Sequence, residues 1–363
     1  MSAQILDYMR RHGHKKVVMC NDADTGLRAI IAIHSTQLGP ATGGLRMWPY
    51  ATEDEAIIDA LRLARGMTYK YAAAGVNLGG GKAVIIGDPK HDKTEALFRA
   101  FGRFLDQLGG EYMTGEDVGT TLADMETIFT ETNYVVTLPV HCGGAGDIAP
   151  ATAQGCVMAT KACARRVWGT DVLKGRRIAL QGLGAVGYNA LRLLVKEDAQ
   201  VIVTDVDPQK VKAAVTEFDV SAVPPSDIYR QDVDIFAPYA LGAVINDETI
   251  PLLRAKIVAG SANNIFAEDR HGDELERRGI VYAVDYIANS GGTIFDTDRL
   301  RKGGFQPVRA WANVNKIYER IEEVFRLADR DHISYYAAAD RLAEERIAAI
   351  KAVRLLATAP LSR

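Results

Sequence analysis

Cysteine is scarce in this chain: Cys20, Cys142, Cys156 and Cys163 are the only four among 363 residues, and none forms a CxxC pair. That excludes a disulfide scaffold and a zinc-binding spacing, so no metal site is expected. Cys156 and Cys163 stand seven apart in a segment that reads as helix. About 10.5 Å of helix axis would separate them, beyond disulfide reach. Long apolar runs are missing too, since none approaches the ~18–20 residues a membrane helix needs. The start, MSAQILDYMRRHGHKK, turns polar too early for a secretory signal peptide. Neither sign of charge dominates: 43 Lys and Arg face 46 Asp and Glu, and the pI lies near 6.2. No basic surface for nucleic acid or anionic membrane is expected. The chain contains no internal repeat and no low-complexity tract. A cytoplasmic protein with reduced thiols is the expectation that remains.

What is present is ordinary globular composition, 48% apolar and 25% charged. At roughly 100–200 residues per domain, the length implies two domains. The N-terminal third mixes strands and helices. VVMCND and LRAIIAIHS read as strands around a turn at Asp24-Thr25-Gly26. A capping box at Thr52-Glu53-Asp54-Glu55 predicts a helix with Ala56, Ile57, Ala60, Leu61, Ala64 and Met67 on one face. Ala83–Ile86 reads as a strand. A helix then carries Leu97, Phe98, Phe101, Leu105 and Leu108 and ends at Gly109-Gly110. The run HCGGAGDIAP, rich in glycine and closed by proline, reads as a hinge. From Thr152 onward RIALQ, QVIVTD, DIFAP and KIVAG are four short apolar strands interleaved with helix, which predicts an open parallel sheet covered on both faces. After about Ala312 the pattern is helical.

RIALQ-GLGAVG-YNALRLLV is a strand, a glycine turn and a helix start. Gly182 permits the turn, Gly184 lets backbone approach a pyrophosphate, and Gly187 allows close packing of helix on strand. Leu183, Ala185 and Val186 complete the turn. The next strand ends at Asp205, 21 residues after Gly184. A carboxylate there accepts hydrogen bonds from ribose hydroxyls and repels a 2′-phosphate, so the expected cofactor is NAD.

Two lysines stand among small residues, Lys70 in GMTYK and Lys82 in GGGK. Three glycines before Lys82 leave room for a substrate to approach. Desolvation and a second nearby cation are what a lysine needs to act as a general base. Asp117, flanked by glycines in GEDVGT, is a candidate proton shuttle. Spacing alone does not bring these three residues together.

GPATGGLRMWPY, RGMTYK, NLGGGKAVIIGDP, GEDVGTT, QGLGAVG, GSANN and ADRLAEERI occur in this order along nearly the whole chain. In them the chain resembles the leucine/phenylalanine/valine dehydrogenase branch of the glutamate dehydrogenase superfamily. The resemblance implies an α/β fold of two domains around a cleft. Residues 1–142 with about 330–363 would form an N-terminal α/β substrate and oligomerisation domain, to which the C-terminal helices return. Residues 143–329 would form a Rossmann-type NAD-binding domain. It also implies NAD-dependent reversible oxidative deamination of an L-amino acid to the 2-oxo acid and ammonia, and a homo-oligomer. Carried over by motif, Lys70 would hold the substrate carboxylate with Gly43 and Gly44 beside it. Lys82 would activate water, and Asp117 would exchange protons with the amine. Thr152 and Asn263 would hold nicotinamide and substrate, and Asn289 would line the cleft. Residue chemistry alone also allows Thr152 to be an N-cap and the asparagines to be satisfied turn residues.

The chain departs from the family pattern near the substrate side chain. Thr42 stands where many relatives carry leucine or alanine. GSANN, YIANSGG and GGTIFDTDRL replace the commoner forms, placing Thr293 and Asp296 where relatives have apolar residues. The expected substrate is branched-chain or aromatic. A polar or basic amino acid is the alternative, because a buried unpaired carboxylate is costly. Asp296 could instead cap the following segment or pair with Arg299. Two further readings are weighed: a 2-hydroxyacid dehydrogenase, which needs a histidine and an arginine that no motif here offers, and a non-catalytic NAD-binding scaffold.

Overall fold

The first sheet takes shape where apolar alternation is strongest. The computed structural model describes residues 2–355; the last eight residues of the predicted C-terminal return, 356–363, lie outside the described residues. The first elements are α1 (Ser2–His12), β1 (Lys16–Asp22), β2 (Leu27–Ser35), β3 (Ala41–Trp48), α2 (Glu53–Ala73), β4 (Gly79–Ile86), α3 (Glu95–Asp106), β5 (Tyr112–Glu116) and α4 (Leu122–Phe129). Strand order is β1-β2-β4-β3-β5; the first two pairings are antiparallel and the last two parallel. Ala83 and Ile85 on β4 join a core with Phe98, Phe101 and Leu105 of α3 and Ile128 of α4. Val84, one residue out of phase, packs with Ala56, Ala60, Leu61 and Ala64 of α2 on the opposite face, as the two-residue period of a strand requires. Lys82 shares the parity of Val84 and therefore projects to the α2 side.

Local expectations are met with small shifts. Asp22 closes the first hairpin by accepting from the backbone N–H groups of Asp24 and Thr25, both at 3.1 Å. Thr52 caps α2 by accepting from Glu55 N, but the Glu55 carboxylate reaches back to Ala51 N rather than to Thr52, so the box is not closed. A reciprocal box stands instead at Thr121 and Asp124, opening α4. The α2 stripe runs on through Thr68 and Tyr71, with Met67 only half-buried.

The second half holds α5 (Ala149–Trp168), β6 (Arg177–Gln181), α6 (Ala185–Lys196), β7 (Gln200–Thr204), α7 (Pro208–Phe218), β8 (Ser221–Ala222), β9 (Ile235–Pro238), β10 (Ile257–Val258), α8 (Arg270–Arg277), β11 (Val281–Tyr282), α9 (Asp285–Ala288), α10 (Gly291–Asp296), α11 (Pro307–Asn315), α12 (Ile317–Asp331) and α13 (Tyr335–Leu355). Its six strands lie in the order β11-β10-β9-β6-β7-β8, and every pairing is parallel. The four apolar strands read from sequence are β6, β7, β9 and β10. The order reverses beside β6, the switch point of a doubly wound sheet.

The chain divides into two compact units. Among the described residues, one contains 2–146, 296–306 and 343–355, and the other 147–295 and 307–342. The break at 146/147 lies inside HCGGAGDIAP, against 142/143 expected from sequence. Residues 296–306 join the first unit, and the last return begins at Ala343 rather than near 330. No helix among the described residues is long and apolar enough to cross a membrane, and all four cysteines are free.

Candidate active site

In the second unit the glycine turn joins β6 to α6. Gly182 takes φ +103°, a left-handed-side conformation that strains a side chain. A Cβ on Gly187 would stand 2.0 Å from the Gly182 carbonyl oxygen, so only glycine lets α6 start this close to β6. Gly184 differs from both. It is the N-cap of α6, is exposed, and has nothing within 4 Å of the space a Cβ would fill. The first-turn N–H groups of a twelve-residue helix therefore face a surface that a diphosphate can reach. Asp205, immediately after β7, accepts from Leu183 N at 2.6 Å through Oδ2 and from Asp207 N at 2.9 Å through Oδ1. Its carboxylate is thus fastened to the glycine turn. This cradle fits a dinucleotide.

Further along the same unit, Asn289 is buried. Its amide donates to the Asn263 side-chain oxygen at 2.6 Å and to the Ser261 carbonyl at 3.1 Å. The two asparagines taken from the sequence are therefore in direct contact. Asn263 is exposed, beside Asn264 at φ +51°. Thr152 is not an N-cap: it sits inside α5, and its hydroxyl donates to the carbonyl of Ile148, four residues back. Its Oγ1 would lie 2.4 Å from a Cβ on Gly292, which explains the second glycine of YIANSGG.

In the first unit Lys82 lies within β4, almost fully buried, and its Nζ meets Asp117 Oδ2 at 2.9 Å. The structure brings together two of the residues that sequence spacing left apart. Arg46 of β3 joins the same oxygen through Nε at 3.0 Å. Burial pushes the Asp117 carboxyl up, but Lys82 and Arg46 overcome this and hold it below the usual carboxylate range. Asp117 opens a turn whose backbone is also tied down. Its N–H donates to Thr120 Oγ1, Thr120 Oγ1 donates to the Leu45 carbonyl, and Gly119, at φ +83°, lies against the Met47 carbonyl.

The glycines before Lys82 have a different reason from the expected one. Cβ atoms on Gly79, Gly80 and Gly81 would strike the Ser35 carbonyl, Thr68 and the Tyr112 ring at 1.9, 2.2 and 2.6 Å. The space is filled by protein, and the triplet lets hairpin, helix and ring close around β4; it is not an opening for substrate. Gly43 likewise lies against the Gly81 carbonyl. Gly44 faces the pair: its missing Cβ would lie 2.7 Å from Asp117 Cβ and 3.2 Å from Lys82 Nζ. Lys70 sits in the last turn of α2.

Asp296 ends α10, and Thr293 lies half-buried within it. The Asp296 carboxylate accepts from Thr137 Oγ1 at 2.6 Å, and its other oxygen is buried without a partner. It makes no capping bond to the turn that follows. Burial raises its pKa to about 7, opposed by Thr137 and Arg299 and assisted by Glu116. Gly44 pairs with Gly115 across β3 and β5, and a Cβ on Gly115 would meet Thr137 Oγ1 at 2.6 Å. Paired residues in a sheet share a face. Thr42 also buries an unpartnered hydroxyl.

Two side-chain groups among the described residues bring metal-ligating atoms within 4.8 Å of one another, Glu126 with His141 and Cys142, and Asp247 with Glu268 and His271. Ordinary pairing accounts for their closeness, as in the 2.8 Å contact of His141 with Glu126.

Residues 14–134 match the model of the Glu/Leu/Phe/Val dehydrogenase dimerisation domain, and 143–209 with 204–352 match that of Glutamate/Leucine/Phenylalanine/Valine dehydrogenase. The leucine dehydrogenase of Geobacillus stearothermophilus is 53% identical over 97% of this chain and 95% of its own length. The phenylalanine dehydrogenase of Caldalkalibacillus thermarum is 48% identical over 92% and 91%. Among solved structures, L-tryptophan dehydrogenase from Nostoc punctiforme superposes with a TM-score of 0.85 at 43% identity, covering 96% of this chain and 99% of that one. The family match and these relatives place the chain among the nicotinamide-dependent oxidoreductases. The chain belongs to the Glu/Leu/Phe/Val dehydrogenase family; it is an amino acid dehydrogenase, acting on CH–NH2 groups. The hydroxyacid and scaffold readings are set aside.

Sequence reasoning missed Arg46 and Asp59, whose carboxylate meets Arg46 Nη1 at 2.9 Å, although Arg46 stands inside GPATGGLRMWPY. A lone arginine carries no spacing signal until its carboxylates are placed around it.

Proposed function

We propose that this enzyme uses NAD to deaminate an L-amino acid with a branched-chain or aromatic side chain, reversibly, giving the 2-oxo acid and ammonia. The observation that carries the reading is the ion pair between buried Lys82 and half-buried Asp117. The names of the similar dehydrogenases support the substrate class. Gly182, Leu183, Gly184, Ala185, Val186 and Gly187 would hold the diphosphate, and Asp205 the adenosine ribose, its charge opposing a 2′-phosphate. Thr152 and Asn263, the latter steadied by Asn289, would hold the nicotinamide and substrate. We further assign the chain to a homo-oligomer in the cytoplasm.

When bound, the nicotinamide supplies a hydride acceptor for the substrate Cα. Lys70 would bind the substrate carboxylate, with Gly43 and Gly44 at that end. Asp117, ionised at rest, takes a proton from the substrate ammonium and later returns it to the departing nitrogen. Lys82, after giving its own proton to solvent, takes a proton of the water that attacks the iminium carbon; once Asp117 has protonated the carbinolamine nitrogen, its carboxylate takes the hydroxyl proton as ammonia leaves. Thr293 and Asp296 would line the side-chain end. The buried Asp296 carboxyl favours a second reading, a substrate with a polar or basic side chain.

The test is a panel of L-amino acids with NAD or NADP, followed by matching 2-oxo acids with ammonium and NADH. Turnover of leucine or phenylalanine with NAD is the expected result. Turnover confined to lysine or arginine supports the second reading, and equal use of NADP removes the assignment of Asp205.

A further inference from the structure

Arg46 is shared between two carboxylates. Its Nε meets Asp117 Oδ2 at 3.0 Å and its Nη1 meets Asp59 Oδ2 at 2.9 Å. Asp59, on α2, is fixed in turn: Tyr50 OH donates to Oδ2 at 2.7 Å and Arg62 Nη2 to Oδ1 at 3.0 Å. The guanidinium and both carboxylates are at most a quarter exposed, so screening by water is limited. The planar fork suits this task, because an arginine can serve two acceptors in fixed directions where an ammonium acts as a point charge. Lys82 and Arg46 take the same oxygen of Asp117, while Thr120 fixes that residue's backbone.

We propose that Arg46, braced by Asp59, is a positioning residue: it holds Oδ2 of Asp117 against Lys82 and leaves Oδ1 as the oxygen that exchanges the proton with the substrate. The inference rests on the reading of Asp117 as proton carrier. Without Arg46, one cation rather than two would orient the carboxylate, and it could turn about its Cβ–Cγ bond. The charged and titratable groups around Asp117 are Lys82 from β4, Arg46 from β3, and Tyr112 and Glu116 from β5, with Asp59 and Tyr50 beyond Arg46. Removing Arg46 subtracts a cation from this set, which makes the carboxylate easier to protonate.

The experiment compares wild type, Arg46→Met, Arg46→Lys, Asp59→Asn and Asp117→Asn in full-length protein. Its readouts are the pH dependence of kcat and kcat/KM with L-leucine and NAD, or with L-phenylalanine where leucine is not turned over. Thermal melting and NADH binding serve as fold controls. Arg46→Met is expected to lower kcat on the order of 10²-fold with KM nearly unchanged, and to move the acid limb of the profile up by ~1 pH unit or more. Arg46→Lys should recover part of both effects, and Asp59→Asn should show smaller changes of the same sign. If Arg46→Met does not fold, Asp59→Asn decides the matter, since Asp59 makes no contact with Lys82 or Asp117. An unmoved acid limb in the folded variants overturns the proposal, as does a loss confined to KM. Full activity in Asp117→Asn would overturn the underlying reading instead. An inactive Asp117→Asn beside normal Arg46 and Asp59 variants would sink this inference alone.

Discussion

Thr137 donates a 2.6 Å hydrogen bond to Oδ2 of Asp296, a residue 159 positions further along the chain, and both side chains are buried. The bond satisfies one carboxylate oxygen and leaves the other, Oδ1, without a partner. A carboxyl in that setting resists ionisation.

The first prediction concerns the pH dependence of stability. Folding raises the Asp296 pKa from 3.8 to about 7. Between those values the native chain keeps a proton that the unfolded chain has lost. This group's contribution therefore falls as pH rises through the window and levels off above it. Asp296→Asn keeps the size and cannot ionise. Its Tm relative to wild type should climb from pH 5 to pH 8 and then stay level. A difference that is flat across this range would remove the raised pKa.

The same residue tests the side-chain end of the substrate site. Asp296→Val is expected to raise kcat/KM for leucine and phenylalanine relative to lysine and arginine, because an apolar wall no longer leaves a carboxylate oxygen unpaired. Unchanged ratios would show that Asp296 does not face the substrate.

Lys82→Ala should lower turnover by ~10²–10⁴. NADH affinity, measured by fluorescence titration, should be retained, because the glycine turn belongs to the other compact unit. Near wild-type turnover would exclude Lys82 as the base.

Gly44→Ala and Gly184→Ala make a contrasting pair. An alanine at 44 would press on Asp117 and Lys82, so kcat should fall while NADH binding holds. An alanine at 184 meets only open space, so the melting temperature should stay put while NADH binds more weakly. The opposite pattern in either variant would contradict the placement of its site.

Cofactor choice should follow Asp205. Asp205→Ser with Val206→Arg, at an exposed position, is expected to raise the NADP-to-NAD ratio of kcat/KM by an order of magnitude. The double variant should also lose some stability, since Leu183 N and Asp207 N lose their carboxylate acceptor. An unchanged ratio would mean that Asp205 does not read the ribose.

Features that depend on neighbours in the chain were determined by sequence alone. The strand, GLGAVG turn and helix at 177–196 are specified by glycine spacing and apolar period within twenty residues. The parallel sheet of the second unit followed from the same alternation, and the α2 and α3 stripes from 3.6-residue periodicity. Lys82 and Asp117 were legible as candidates because lysine and aspartate among glycines are uncommon surroundings for charge. Tertiary structure decided the rest. The pairing of Lys82 with Asp117 spans 35 positions, and Arg46 reaches Asp117 across 71, distances over which no local period operates. The purpose of Gly79–Gly81 was equally hidden, since Ser35, Thr68 and Tyr112 meet them only after the sheet and α2 assemble. So too was the partner of Asp296. A sequence shows which groups are chemically able, and folding decides which charges come to share an oxygen, because a charge taken out of water is costly unless it is paired.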